Sequence, residues 1–171
     1  MRQVGSFSEF LKTGALGPVR PGAVRSLVLQ EFGEPEVFSN GWAVLTPQQP
    51  MHESSSWGYG FLQVGFKSDV VVDLGFYYAF EGKGLTIPKH LAITGLPRHS
   101  LTLREFENSL EEIGLLVSAK VDRWNDEECQ YTLSSGVYVL LTSDRVLSVV
   151  TSLKGPLVLR SIQDWYSERR R

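Results

Sequence analysis

Apolar residues recur with two periods, and the change between them divides the chain. Phe7, Phe10 and Leu11 fall at helical spacing behind Ser6, a capping residue with Glu9 three positions on. This predicts a short helix from Phe7 that stops at Gly14 or at Gly17-Pro18. After the turn Arg20-Pro21-Gly22, the run Ala23 to Phe32 places Val24, Leu27 and Val28 at helical spacing and ends at Gly33 before Pro35. The stretch from Glu36 to Gln49 and on through His52-Glu53-Ser54-Ser55-Ser56 reads as a short strand followed by a long loop.

From Trp57 the period becomes two. Leu62, Val64 and Phe66 share one side of a single strand, while Tyr59, Phe61 and Gln63 share the other. The turn Lys67-Ser68-Asp69 leads to a second strand with Val70, Val72, Leu74, Phe76 and Tyr78 on one side and Val71, Asp73, Gly75 and Tyr77 on the other. Glu81-Gly82-Lys83-Gly84 opens a connector that can carry a short strand near Leu91 to Ile93. Ser100 or Thr102 can cap a third helix with Leu103, Phe106, Leu110 and Ile113 on one stripe, closed by Gly114. Leu115 to Val121, Cys129 to Leu133, Val137 to Leu141 and Val146 to Ser152 follow as strands. Ser161 can cap a terminal helix with Ile162, Trp165 and Tyr166. The expected class is α+β, with helices packed on one antiparallel sheet in a single domain, 1–171.

The segment Leu62 to Val71 aligns without gaps on Val137 to Val146, apolar positions and the Ser-Asp turn included. Each copy follows a helix ending in Phe32-Gly33 or Ile113-Gly114. We therefore expect a tandem pseudo-repeat of helix and hairpin, with units 6–80 and 97–153 and a C-terminal helix over 161–171.

With 17 basic and 19 acidic side chains among 171 residues, the chain has no global field to gather nucleic acid or an anionic membrane. Nor does it contain an apolar run long enough to span a bilayer or an apolar leader. The one cysteine, Cys129, excludes an intramolecular disulfide and fits a reducing, cytoplasmic setting. His52, His90 and His99 lack metal-ligand spacing, and the glycine pairs Gly58/Gly60 and Gly82/Gly84 lack a third glycine and a following helix. No metal, cofactor or catalytic residue is expected. The enzyme alternative is an acid/base pair of His52 and Glu53 on the loop, and a further alternative is a small-molecule pocket under the sheet.

Two features favour a protein partner. Tyr59, Phe61, Tyr77 and Tyr138 fall on the sides of their strands away from the expected core, where aromatic rings anchor interfaces. The hairpin tip Asp122 to Glu128 sets Trp124 among carboxylates, with Asp126, Glu127 and Glu128 able to enter a basic cleft. The outward rings would serve a homodimer equally well.

The residues Leu16-Gly17, Arg20-Pro21-Gly22, Val28, Phe32-Gly33-Glu34-Pro35 and Tyr59-Gly60-Phe61-Leu62-Gln63-Val64 resemble small cytosolic immunity proteins of bacterial polymorphic toxin systems. That resemblance implies stoichiometric neutralisation of a cognate toxin by binding, with no chemistry of its own. The tandem arrangement is also similar to that of the tandem-repeat beta-lactamase inhibitor proteins, without their paired cysteines.

Overall fold

A computed structural model describes residues 1–40, 43–44, 50–78, 88–122, 128–142 and 144–153. In chain order the elements are β1 (Arg2–Ser6), α1 (Phe7–Thr13), α2 (Arg25–Phe32), β2 (Val37–Asn40), β3 (Ala43–Val44), β4 (Ser56–Tyr59), β5 (Leu62–Lys67), β6 (Val70–Tyr77), β7 (Leu91–Thr94), α3 (Leu103–Glu112), β8 (Val117–Asp122), β9 (Glu128–Leu133), β10 (Tyr138–Thr142) and β11 (Val146–Ser152). The fold is α+β. Nine strands form one antiparallel sheet in the order β3-β2-β4-β5-β6-β11-β10-β9-β8, while β1 and β7 pair in parallel beside it.

Local chemistry sets the helix ends. The Ser6 side chain accepts from Glu9 N at 3.1 Å, and Gly14, at φ 69°, closes α1 by donating to Phe10 O. Thr102 and Glu105 form a reciprocal capping box on α3. Hydrogen bonds from the Thr102 backbone and hydroxyl hold the Glu105 carboxyl below its ordinary pKa. The depressed folded-state pKa means that this contribution is present above the ordinary carboxylate range and is lost as pH falls through the folded value. Thr102→Ala should cost about 1 kcal/mol. Glu105→Gln, which cannot titrate, should flatten the acid limb of a plot of unfolding midpoint against pH; an unchanged limb would count against the box.

Among the described residues, helices α1, α2 and α3 lie on one face of the sheet. Phe7 and Phe10 of α1 meet the ring of Phe76 edge-on at 5.4 and 5.0 Å, and Phe32 of α2 meets Tyr59 at 5.6 Å. Phe106 and Leu110 of α3 enter the same core, and Tyr131 on β9 donates to Glu107 Oε1 at 3.2 Å. The α1 end rests against β11: a Cβ on Gly14 would stand 2.6 Å from Thr151 Oγ1. Ser135, in the turn between β9 and β10, donates to Leu11 O.

Two expectations need correction, and one element was not foreseen. Trp57 to Phe66 is not one strand but the β4–β5 hairpin, turned at Gly60-Phe61 with Gly60 at φ 60°. Tyr59 therefore lies opposite Leu62, on the same face. In β6 a bulge shifts the register between Gly65 and Phe66, so Val71 faces the core at 0% exposure while Val70 is exposed at 36%. Finally, Arg2 to Ser6 is a strand that the local pattern does not signal. The expected helix from Ser161 lies outside the described residues. No helix among the described residues is long and apolar enough to cross a membrane.

Candidate interaction surface

Residues paired across a sheet share a face, so the ladders identify what lies on the side away from the helices. One row runs Ser39, Ser56, Gly65, Asp73, Ser152; a second runs Val37, Gly58, Gln63, Gly75, Val150, Tyr138, Thr132; a third runs Tyr77, Ser148, Leu140, Gln130, Val121. Glu128 and Thr142 extend this face at one end of β9 and β10. Compared with the aromatic helix side, it is small and polar.

Its centre is shaped by glycines. A Cβ on Gly65 would lie 2.4 Å from Asp73 Oδ2, and one on Gly75 would lie 2.7 Å from Val149 O. The Asp73 carboxylate thus occupies the space above Gly65 that any other residue would fill. Asp73, Ser56, Gln130 and Ser148 are buried, as are Tyr77, Leu140 and Val150. Gln63, Tyr138, Thr132, Thr142 and Glu128 are half-buried, and partial burial raises the pKa of the Tyr138 phenol. Gly65→Ala should destabilise the protein by about 2 kcal/mol through overpacking against Asp73. Asp73→Ser should recover part of that loss in chemical denaturation, and an additive double mutant would refute the contact.

The predicted interface residues therefore divide. Tyr138 and Glu128 share the face opposite α1, α2 and α3 and remain partly accessible. Tyr77 lies on the same face but is buried at 7% exposure. Tyr59 and Phe61 are not outward at all. Tyr59 is 1% exposed and donates to Gly33 O at 2.9 Å, and its desolvated phenol has a strongly raised pKa. Phe61 packs on Phe76 at 6.4 Å and Tyr78 at 5.1 Å. The cause is the turn at Gly60-Phe61, which folds β4 back so that its alternation restarts. Trp124, Asp126 and Glu127 lie outside the described residues, in the connection between β8 and β9. Asp73, Gln63 and Gln130 were missed as residues of this face, although two glycines within strands, Gly65 and Gly75, mark their neighbourhood.

His52 and Glu53 stand on an exposed turn with Nε2 and Oε1 3.8 Å apart, beyond hydrogen-bond reach, and with both side chains mostly in solvent. An open depression of about 380 Å³ lies at the C-terminal end of α2, lined by Arg2, Phe32, Gly33, Glu34, Pro35, Glu36 and His90. Arg2 already donates to Gln30 O and Glu31 O there, and Glu36 Oε1 accepts from Lys89 N at 2.7 Å. Among the described residues, no group of three or more His, Cys, Asp or Glu could hold a metal ion. The chain matches no family model, no curated protein and no solved structure.

Proposed function

We propose that the protein is a non-enzymatic inhibitor, an immunity protein of the bacterial cytosol that neutralises a cognate toxin by binding it. The observation that carries this reading is the placement of Tyr138 and Glu128 on the face opposite α1, α2 and α3, with Glu128 directly following in sequence the stretch 123–127 that includes Trp124, Asp126 and Glu127. A tyrosine held in place by partial burial offers area at small entropic cost, and the carboxylates favour a basic partner surface. The interface on this reading consists of Tyr138, Glu128, Trp124, Asp126 and Glu127, with the buried Tyr77 on the same face two strands away.

The tandem organisation belongs to the same proposal, and matched registers support it. Gln63 pairs with Gly75 as Tyr138 pairs with Val150, and both hairpins carry a bulge at the equivalent step, Gly65/Phe66 and Leu140/Leu141. Each hairpin is clamped to its helix in the same manner. Arg25 N donates to Asp69 O and Val71 N to Ala23 O; Leu103 N donates to Asp144 O and Val146 N to Leu101 O. The halves join through β6 and β11, whose pairs are symmetric about Gly75 and Val150.

The test is affinity purification of the tagged protein from its native cells. A single protein recovered in equal amount is the expected result. Simultaneous reversal of Asp126, Glu127 and Glu128 to lysine should then weaken its binding at least tenfold, and Tyr138→Ala should cost more than about 1 kcal/mol. Unchanged affinity in both would remove this surface from the interface. The depression beside Arg2 and His90 favours a second reading, a small-molecule-binding module. A reproducible rise in unfolding temperature with a metabolite, lost in Arg2→Ala, would favour it.

A further inference from the structure

The sheet face opposite α1, α2 and α3 is buried at its centre, although no described helix lies over it. Tyr77, Leu140 and Val150 are 7%, 7% and 8% exposed, yet all three stand outside the core cluster that the helices close. Ser56, Asp73, Gln130 and Ser148 share their face and are buried as well. β1 and β7 are no cover for it, since they turn Val4 and Leu91 into the core on the helix side. Side chains on a bare sheet face keep their tips in water, and a tyrosine, a leucine and a glutamine stand too tall to be hidden by small neighbours beside them. The centre of this face therefore has a cover, drawn from residues outside the described ones.

We propose that the segment 154–171 is this cover, packed across the centre of the sheet with Ile162, Trp165 and Tyr166 toward Tyr77, Leu140 and Val150. Position selects it first. The segment follows β11, a central strand between β6 and β10, whose last residue Ser152 pairs with Asp73 on this face. From the row of Asp73 to the row of Tyr77 is four residues along β6, about 13 Å, and 18 residues reach that far even when wound into a helix about 27 Å long. The stretches 45–49 and 123–127 adjoin strands at the two margins of the sheet, and 79–87 has to lead from β6 to β7 on the helix side. Chemistry selects it again. Ile162, Trp165 and Tyr166 recur at helical spacing and form one apolar stripe. The segment carries Lys154, Arg160, Arg169, Arg170 and Arg171 against Asp164 and Glu168, whereas the rows of this face hold Asp73 and Glu128 and no lysine or arginine. Tyr138 and Glu128, half-buried, then lie at the border of the cover.

Thiol labelling of the full chain tests this. In a Cys129→Ser background, Ser148→Cys places a nearly isosteric thiol in the row of Tyr77 and Leu140, and Val149→Cys places one in the core on the helix side. The Ser148→Cys thiol should react with a maleimide about a hundredfold more slowly than free cysteine. Adding Trp165→Asp and Tyr166→Asp should speed it at least tenfold and leave the Val149→Cys thiol as slow as before, which separates release of the segment from unfolding. Circular dichroism checks that each variant folds, and Gln130→Cys repeats the measurement in the same row should Ser148→Cys not fold. Rapid labelling before the aspartates are introduced overturns the proposal. Slow labelling that the aspartates leave unchanged overturns it equally: relief by Phe80→Asp would then assign the cover to 79–87, and relief by dilution would assign it to a second copy.

Discussion

Phe76→Ala should lower the unfolding free energy by about 4 kcal/mol. Phe76 is fully buried at the middle of the sheet, and three rings converge on it edge-on: Phe7, Phe10 and Phe61. Truncation removes the transfer free energy of the ring, leaves a cavity that rigid neighbours cannot close, and breaks three aromatic contacts. Urea denaturation should show the midpoint falling with an unchanged slope. A loss below about 2 kcal/mol would mean that α1 collapses into the space. Phe76→Leu, which keeps most of the volume, should cost clearly less.

Arg25→Ala should cost about 3 kcal/mol although it removes a charge. The Arg25 side chain is 9% exposed, with its Cζ 4.0 Å from the centre of the Phe66 ring and 5.1 Å from that of Trp57. Nη2 donates to Ser68 O at 2.8 Å, and Nε reaches Asp69 Oδ1 at 3.3 Å. Burial pulls the arginine pKa down, and Asp69 opposes that shift. The charge is nevertheless retained, since guanidinium does not deprotonate in proteins. Nη1 has no hydrogen-bond partner, as suits a guanidinium laid against a ring. Most of the value therefore lies in packing and in the Ser68 carbonyl rather than in the ion pair. Asp69 is 83% exposed, so Asp69→Asn should change stability by less than about 1 kcal/mol. Arg25→Lys should fail to rescue, because an ammonium cannot stack on Phe66 while holding the Ser68 carbonyl. Equal losses in Arg25→Ala and Asp69→Asn would return the weight to the ion pair.

What could be read from the sequence tracks the range of the interaction responsible. Ser6, Glu9 and Gly14 bound α1 through contacts a few residues apart, and Thr102 with Glu105 does the same for α3. Alternation revealed β6 and the strands after α3, because their apolar residues recur at every second position. It failed at Tyr59 because the pair Gly60-Phe61 lacks the usual signature of a two-residue hairpin turn, and one unrecognised turn restarts the alternation. It failed at Val71 because a bulge inserts one residue. β1 contains one buried apolar side chain, Val4, and its partner is β7, far along the chain, so no local pattern could mark it. Tyr138 was legible because Val137 and Val139 on either side of it are buried and the bulge comes only at Leu140/Leu141. Asp73 and Gly65 acquire meaning only through pairing, which brings the carboxylate over the glycine.

The position of α1 bears on the order of assembly. The helix is closed by local contacts, yet its seat is shared between Phe76 on β6 and the far more distant Ser135 and Thr151. Until β11 has joined β6, α1 has only part of that seat. Contacts so distant along the chain must meet the entropy of closing long loops before they return any stability, so folding should be slow for this length. Although its own hydrogen bonds are local, α1 should be among the last elements to become protected from hydrogen exchange.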